Sequence, residues 1–171
     1  MDVTTGSVAP MSPNNRLRMT ATAAGTSPTE AYAIMPPVSN LQANTHRLRF
    51  KAYATVADRT VSVGYMTDYA NTTSFVELQQ ITLPGTAAST ALEFIVIPGA
   101  LPAGVKHLAI RNNGFFGTPA GSTTAYFDDF SWEAIPSCLE QSGLTASAVT
   151  NTSAVLGWTE AATATAWEIQ Y

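Results

Sequence analysis

Residues 47–54 read RLRFKAYA. Leu48, Phe50, Ala52 and Ala54 occupy alternate positions, with Arg47, Arg49, Lys51 and Tyr53 between them. Successive side chains of a strand point to opposite faces, so this pattern predicts a strand with one face in a core and one in solvent. Working outward, the same period returns at Val61, Val63 and Tyr65 in TVSVGYM, and at Leu108 and Ile110 in KHLAIRN. Apolar runs at 31–35, 75–83 and 92–97, and RLRMTATAA from Arg16, lie between Pro, Gly, Asn and Ser clusters. Counted between residues 16 and 134, these give about eight short strands with regular spacing, and helical periodicity is almost absent. The expected fold is all-β, a jelly-roll β-sandwich, because a βαβ architecture has no helices to draw on here.

Composition supports the same class and narrows the function. Of 171 residues 46% are hydrophobic and only 12% charged, and the net charge is −4. That leaves no basic field for a phosphate backbone, so no nucleic acid is expected as partner. A surface of Thr, Ser, Asn and Gln suits secreted β proteins. No run approaches the roughly 20 apolar residues of a membrane span, and residues 1–20 lack a basic start followed by an apolar block. An export signal is therefore expected to lie upstream or to have been removed, with an extracellular or cell-surface location and no membrane insertion. Cys138 is the single cysteine, either a small buried residue or half of a disulfide whose partner lies outside this sequence.

A composition change follows Trp132. EAIPSCLEQSG has the character of a linker. After it, LTASAVTNTSAVLGWTEAATATAWEIQY predicts one strand over 144–149, another with Ala154, Leu156 and Trp158 on one face, and a third beginning at Ala166. The organisation expected is an N-terminal extension over 1–13, the sandwich over 14–135, a linker over 136–143, and a partial domain over 144–171. TSAVLGW and WEIQY resemble the opening of a fibronectin type III domain. Such a piece cannot close a sandwich, so its edges are expected to dock, to stay unordered, or to pair with another chain.

The first domain carries a resemblance of its own. VSVGYMTDYANTTSFVELQQITLP, HLAIRN and AYFDDFSWEAIPSC are similar, in that order, to motifs of the MAM-like, gingipain-type cleaved-adhesin jelly-roll modules, which also resemble carbohydrate-binding modules. The resemblance spans about residues 15–138, and such modules often precede fibronectin type III domains. The opening strand that usually comes before RLRM is not evident in residues 1–13. The resemblance implies a structural Ca2+ site on the last strand, at Asp128 and Asp129. Calcium takes about six to eight oxygen ligands, and neighbouring carboxylates on a strand diverge. Asp128 is preferred; by strict alternation it shares a face with Tyr126, Phe130 and Trp132, while Asp129 shares one with Phe127 and Ser131. Oxygens near Asn14 and Asn15 are expected to help, since first and last strands pair in jelly rolls. A solvated or Arg-paired carboxylate is the alternative reading.

Two loops offer ligand contacts. In RNNGFFGTP, Asn112, Asn113, Phe115 and Phe116 combine amides and aromatic rings, which suits stacking on a sugar or anchoring of a partner; a Phe folded over the sandwich end is the alternative. YMTDYANTT adds Tyr69, with Asp68 and Asn71 read mainly as turn-capping residues. His46 and His107 have no zinc-site spacing and read as surface polar residues. No nucleophile elbow is present, and adjacent carboxylates cannot flank a glycosidic bond. Glu77 or Glu93 with Asp128 remains formally open as a carboxylate pair. The function expected is a non-catalytic adhesion or binding module of a secreted or cell-surface bacterial multidomain protein, with a glycan or host-surface protein as partner. The runner-up readings are a structural spacer and an accessory part of a secreted protease or glycoside hydrolase.

Overall fold

The structure, a computed structural model, describes residues 2–4, 15–24, 29–85, 91–115, 120–136 and 142–159, with residues 2–4 and Ser142 given by backbone alone. Two compact units result, Met1–Ala134 and Ile135–Tyr171. In the first, β1 (Asp2–Thr4), β2 (Arg16–Thr22), β4 (His46–Ala54), β7 (Leu92–Val96) and β9 (Ser122–Ala134) form one sheet in the order β1-β2-β9-β4-β7. The other sheet contains β3 (Ala31–Ile34), β5 (Arg59–Met66), β6 (Phe75–Leu83) and β8 (His107–Asn112) in the order β3-β8-β5-β6. Neighbouring strands are antiparallel throughout. The all-β sandwich expected from the alternation is therefore the architecture observed. One strand departs from the reading. Residues 2–4, assigned to an extension, form β1 and pair with β2 (Thr4 opposite Arg16), a strand too short to show a period.

The inner faces make the core. Leu48, Phe50 and Ala52 of β4 meet Phe127 and Ala125 of β9 and, from the second sheet, Val61, Val63, Leu108 and Ile110. Burying each large aliphatic or aromatic side chain contributes about 1.5–3 kcal/mol. Asn112 ties the sheets together. It is fully buried at the end of β8, and its amide nitrogen donates across the sandwich to the carbonyls of Met19 on β2 (3.1 Å) and Thr123 on β9 (2.9 Å). Its side-chain oxygen accepts from the Gly114 N–H (3.1 Å). Gly114, at φ +85°, runs so close to Thr22 and Ala23 that a Cβ would lie 2.3 Å from the Ala23 nitrogen.

The outer faces are also built. On the five-stranded sheet, Arg16, Arg18, Arg47, Arg49 and Lys51 place five of the eight basic residues on one face. Tyr53 belongs to that face yet is 1% exposed, stacked on Tyr126 (5.0 Å, 17°), over which the Arg16 guanidinium lies at 4.4 Å. On the four-stranded sheet the Phe75 ring crosses Gly64, where a Cβ would meet it at 2.7 Å, and reaches Tyr32 (5.7 Å, edge-on). Arg111 covers Phe75 and pairs with Glu77 (3.3 Å). Burial, reinforced by the adjacent Glu30 carboxylate, pushes the Tyr32 phenol above its ordinary value.

In the second unit, β10 (Ser142–Ser147) and β11 (Val155–Thr159) form an antiparallel hairpin. Ser142 and Gly143 were assigned to the linker and instead begin β10. Leu144, Val155 and Leu156 are exposed on the hairpin. Cys138 and the strand expected from Ala166 lie outside the described residues.

Candidate functional site

Asp128 and Asp129 sit at a break in the β4–β9 ladder. Lys51 pairs with Asp128 and Arg49 with Ser131, so Asp129 and Phe130 together oppose Phe50. This is a β-bulge, and Asp129 adopts φ +53°, the left-handed conformation that short polar side chains tolerate best after glycine. The extra residue resets the alternation. Phe130 stacks on Phe50 (5.4 Å) and Trp132 packs on the core, whereas strict alternation placed both on the face of Asp128. Neither carboxylate turns inward. Asp129 Oδ2 lies 3.0 Å from Lys51 Nζ, and Asp128 Oδ1 accepts from the Asp129 N–H (2.9 Å).

For calcium, the donor set is thin. Among the described residues no three His, Cys, Asp or Glu side chains come together as a metal group. Asn15 is exposed immediately before β2, and continuing the register of Leu17 opposite Phe127 brings it beside the bulge. A cation there would depend on Asp128, on Asn15 and on backbone carbonyls, and both carboxylates already have partners, Lys51 being one for Asp129. Among the described side chains, Glu93 and Glu133 of this sheet form a ladder with Arg47 and Arg49. Glu133 meets Arg47 (2.7 Å) and Arg49 (3.6 Å), and Arg49 also reaches Glu93 (3.4 Å). The Arg47 hydrogen bond, with the charges of both arginines, holds the Glu133 carboxyl below its ordinary value.

The expected ligand contacts do not converge. Tyr69 follows β5 at one end of the sandwich, and Phe115 follows β8 at the other, beside Arg59 at the start of β5. The eight residues of β5 separate the two ends by roughly 25 Å. Asn112 is unavailable to a ligand because its amide is spent between the sheets. Phe115 is half-buried, with the Arg59 guanidinium 3.5 Å from its ring centre and paired backbone bonds to Gly121. Asn113 is half-buried beside it, and Phe116 lies outside the described residues. Tyr69 is 62% exposed on a turn braced from within: Asp68 accepts from Ala70 N–H (3.0 Å), Asn71 from Thr73 N–H (3.0 Å), and Ser74 bonds back to Asp68 (2.7 Å). Its ring leans on His107 (5.2 Å), which bonds to the Met35 carbonyl (2.9 Å).

At the Tyr69 end an apolar cleft of about 550 Å³ opens between the sheets. Leu17, Leu48, Phe130 and Trp132 line it from one sheet, and Ala33, Met35, Val38 and Leu108 from the other side. Trp132 is fixed there. Its indole N–H donates to Asn40 Oδ1 (2.9 Å), and its ring stacks on His46 (5.6 Å, 20°), which Asn40 and Thr45 hold in turn.

No family model matches the sequence, and no curated protein matches it. Among solved structures, the K1 cleaved adhesin domain of Lys-gingipain (Kgp) from Porphyromonas gingivalis W83 aligns with a TM-score of 0.50 and 20% identity, over 72% of this chain and 76% of that one. The fold is similar to that of the K1 domain. The K2 cleaved adhesin domain of Lys-gingipain gives 0.49 and 17% identity, over 70% of this chain and 72% of that one. At such identities the K1 likeness is one of fold, and what the site does rests on this chain's own residues.

Sequence reasoning missed the cleft. Its aromatic wall exists because the bulge turns Phe130 and Trp132 inward, and strict alternation hid that. A signal was present: two consecutive Asp residues inside an aromatic strand mark a place where one of them can take a positive φ.

Proposed function

We propose that the Met1–Ala134 unit is a non-catalytic adhesion module of an exported bacterial multidomain protein, holding a glycan or protein at the cell surface. The observation that carries this reading is Tyr69. A largely exposed aromatic ring stands on a turn whose polar side chains are used to stiffen it, and a rigid aromatic is an economical anchor for a sugar face or a protein pocket. A fold shared with a cleaved adhesin domain agrees with it. The enzyme alternative draws no support from the cleft, whose described walls carry no titratable side chain. We include in this proposal that the β10–β11 hairpin opens a fibronectin type III-like domain and offers its edges for strand pairing. Binding of the purified chain to glycan arrays and to immobilised surface proteins tests the reading. Tyr69→Ala is expected to weaken a detected interaction at least about tenfold, and an unchanged signal removes Tyr69 as anchor.

One observation favours a spacer as the second reading. The Phe115 ring is taken up by Arg59, so this ring presents less to a partner than the composition of its loop suggests. A chain that binds nothing in either assay, while pairing or stacking with neighbouring domains in sedimentation, would support the spacer.

A further inference from the structure

The cleft carries a reading that goes beyond adhesion. We propose that it binds a hydrocarbon chain, the alkyl or acyl portion of a lipid-like molecule. Its volume, about 550 Å³, falls within the range of small-ligand sites. Its walls decide the chemistry. Aliphatic and aromatic side chains from both sheets surround the space, and Ser131, the polar member of the described lining, has its hydroxyl directed to Glu133 Oε2 (3.4 Å). A sugar or a peptide backbone entering here would lose its water against walls made almost wholly of apolar side chains, a loss that disfavours both. A methylene chain loses nothing of that kind and gains burial.

The site is also built in advance of any ligand. Trp132 is locked by Asn40 and His46, and Phe130 is backed by Phe50 and Phe127. Both rings face the cleft only because Asp129 holds a left-handed conformation, and backbone strain of this type clusters at ligand sites. Phe130 remains 42% exposed at the rim, so the space is reachable from solvent.

The experiment uses the full chain with Trp158→Phe and Trp167→Phe, which leaves Trp132 as the reporter. N-phenyl-1-naphthylamine is titrated in, then displaced with dodecanol, and flotation with phosphatidylcholine vesicles separates capture of a dispersed amphiphile from capture of a bilayer chain. Saturable uptake that quenches Trp132, reverses with dodecanol and weakens at least about tenfold in Phe130→Asp is the expected result. Val38→Asp, on the opposite wall, repeats the test if Phe130→Asp unfolds. No response of Trp132 in the parent chain overturns the proposal, as does uptake untouched by both substitutions. A concentration-dependent dimer that Phe130→Asp dissolves, with no probe uptake, also overturns it and assigns the cleft to a second copy.

Discussion

Lys51 Nζ stands 3.0 Å from Asp129 Oδ2 at the point where β9 has one residue more than β4. The pair is partly exposed, so its own contribution is about 0–1 kcal/mol. The backbone at φ +53° matters more. Asp129→Gly loses the ion pair but adopts this conformation without steric cost, whereas Asp129→Ala loses the pair and keeps a Cβ in an unfavourable region. Urea denaturation is expected to show Asp129→Gly about 1 kcal/mol more stable than Asp129→Ala. Equal midpoints would mean that the bulge does not require a left-handed residue.

Asn112 makes three bonds, two of them across the sandwich. Asn112→Ala leaves the carbonyls of Met19 and Thr123 and the N–H of Gly114 without that partner in a water-free place. About 2–4 kcal/mol of stability should be lost, read as a lower urea midpoint with unchanged slope. A loss below about 0.5 kcal/mol would contradict its role as a staple.

The sandwich was legible in the sequence because β4, β5 and β8 alternate cleanly, and alternation is what burial of one strand face imposes. Residues 2–4 were not, since three residues show no period. The site was half legible. Asp128 and Asp129 stand out as anomalous, but alternation carried through them gives the wrong faces for Phe130 and Trp132, because the pair reads first as charge and only second as a place for a positive φ. Asn112 reads as a ligand-contacting loop residue from its neighbours, and Phe115 reads equally as a loop contact or as a ring folded over the sandwich end. What buries them comes from far along the chain, Met19 for one and Arg59 for the other.

Acid should act through Glu133. Its carboxyl, held down chiefly by the Arg47 hydrogen bond, ionises more readily in the folded protein than its ordinary 4.5. The stabilisation is therefore fully present above about pH 4.5 and is lost as pH falls through the lowered folded value. The stability gap between the parent and Glu133→Gln should shrink as pH drops through that window. A gap independent of pH would show that Glu133 and Arg47 are not coupled in solution.

Calcium, as a proposal for the bulge, makes a thermal prediction. Lys51 competes for Asp129, so a bound ion would draw on Asp128, Asn15 and nearby carbonyls, a site of few charges and modest affinity. Binding to the folded state alone would add about 2.7 kcal/mol when free Ca2+ stands at 100 times Kd. For a domain of this size that corresponds to a rise of roughly 5–10 °C in melting midpoint over the chelated protein. Asp128→Asn should remove most of the rise, and Lys51→Met should enlarge it by removing the cation that competes for Asp129. A midpoint unmoved by chelator, in the parent and in Lys51→Met alike, takes the metal away from this strand and leaves the paired carboxylates their backbone task, which is to turn Phe130 and Trp132 toward the core.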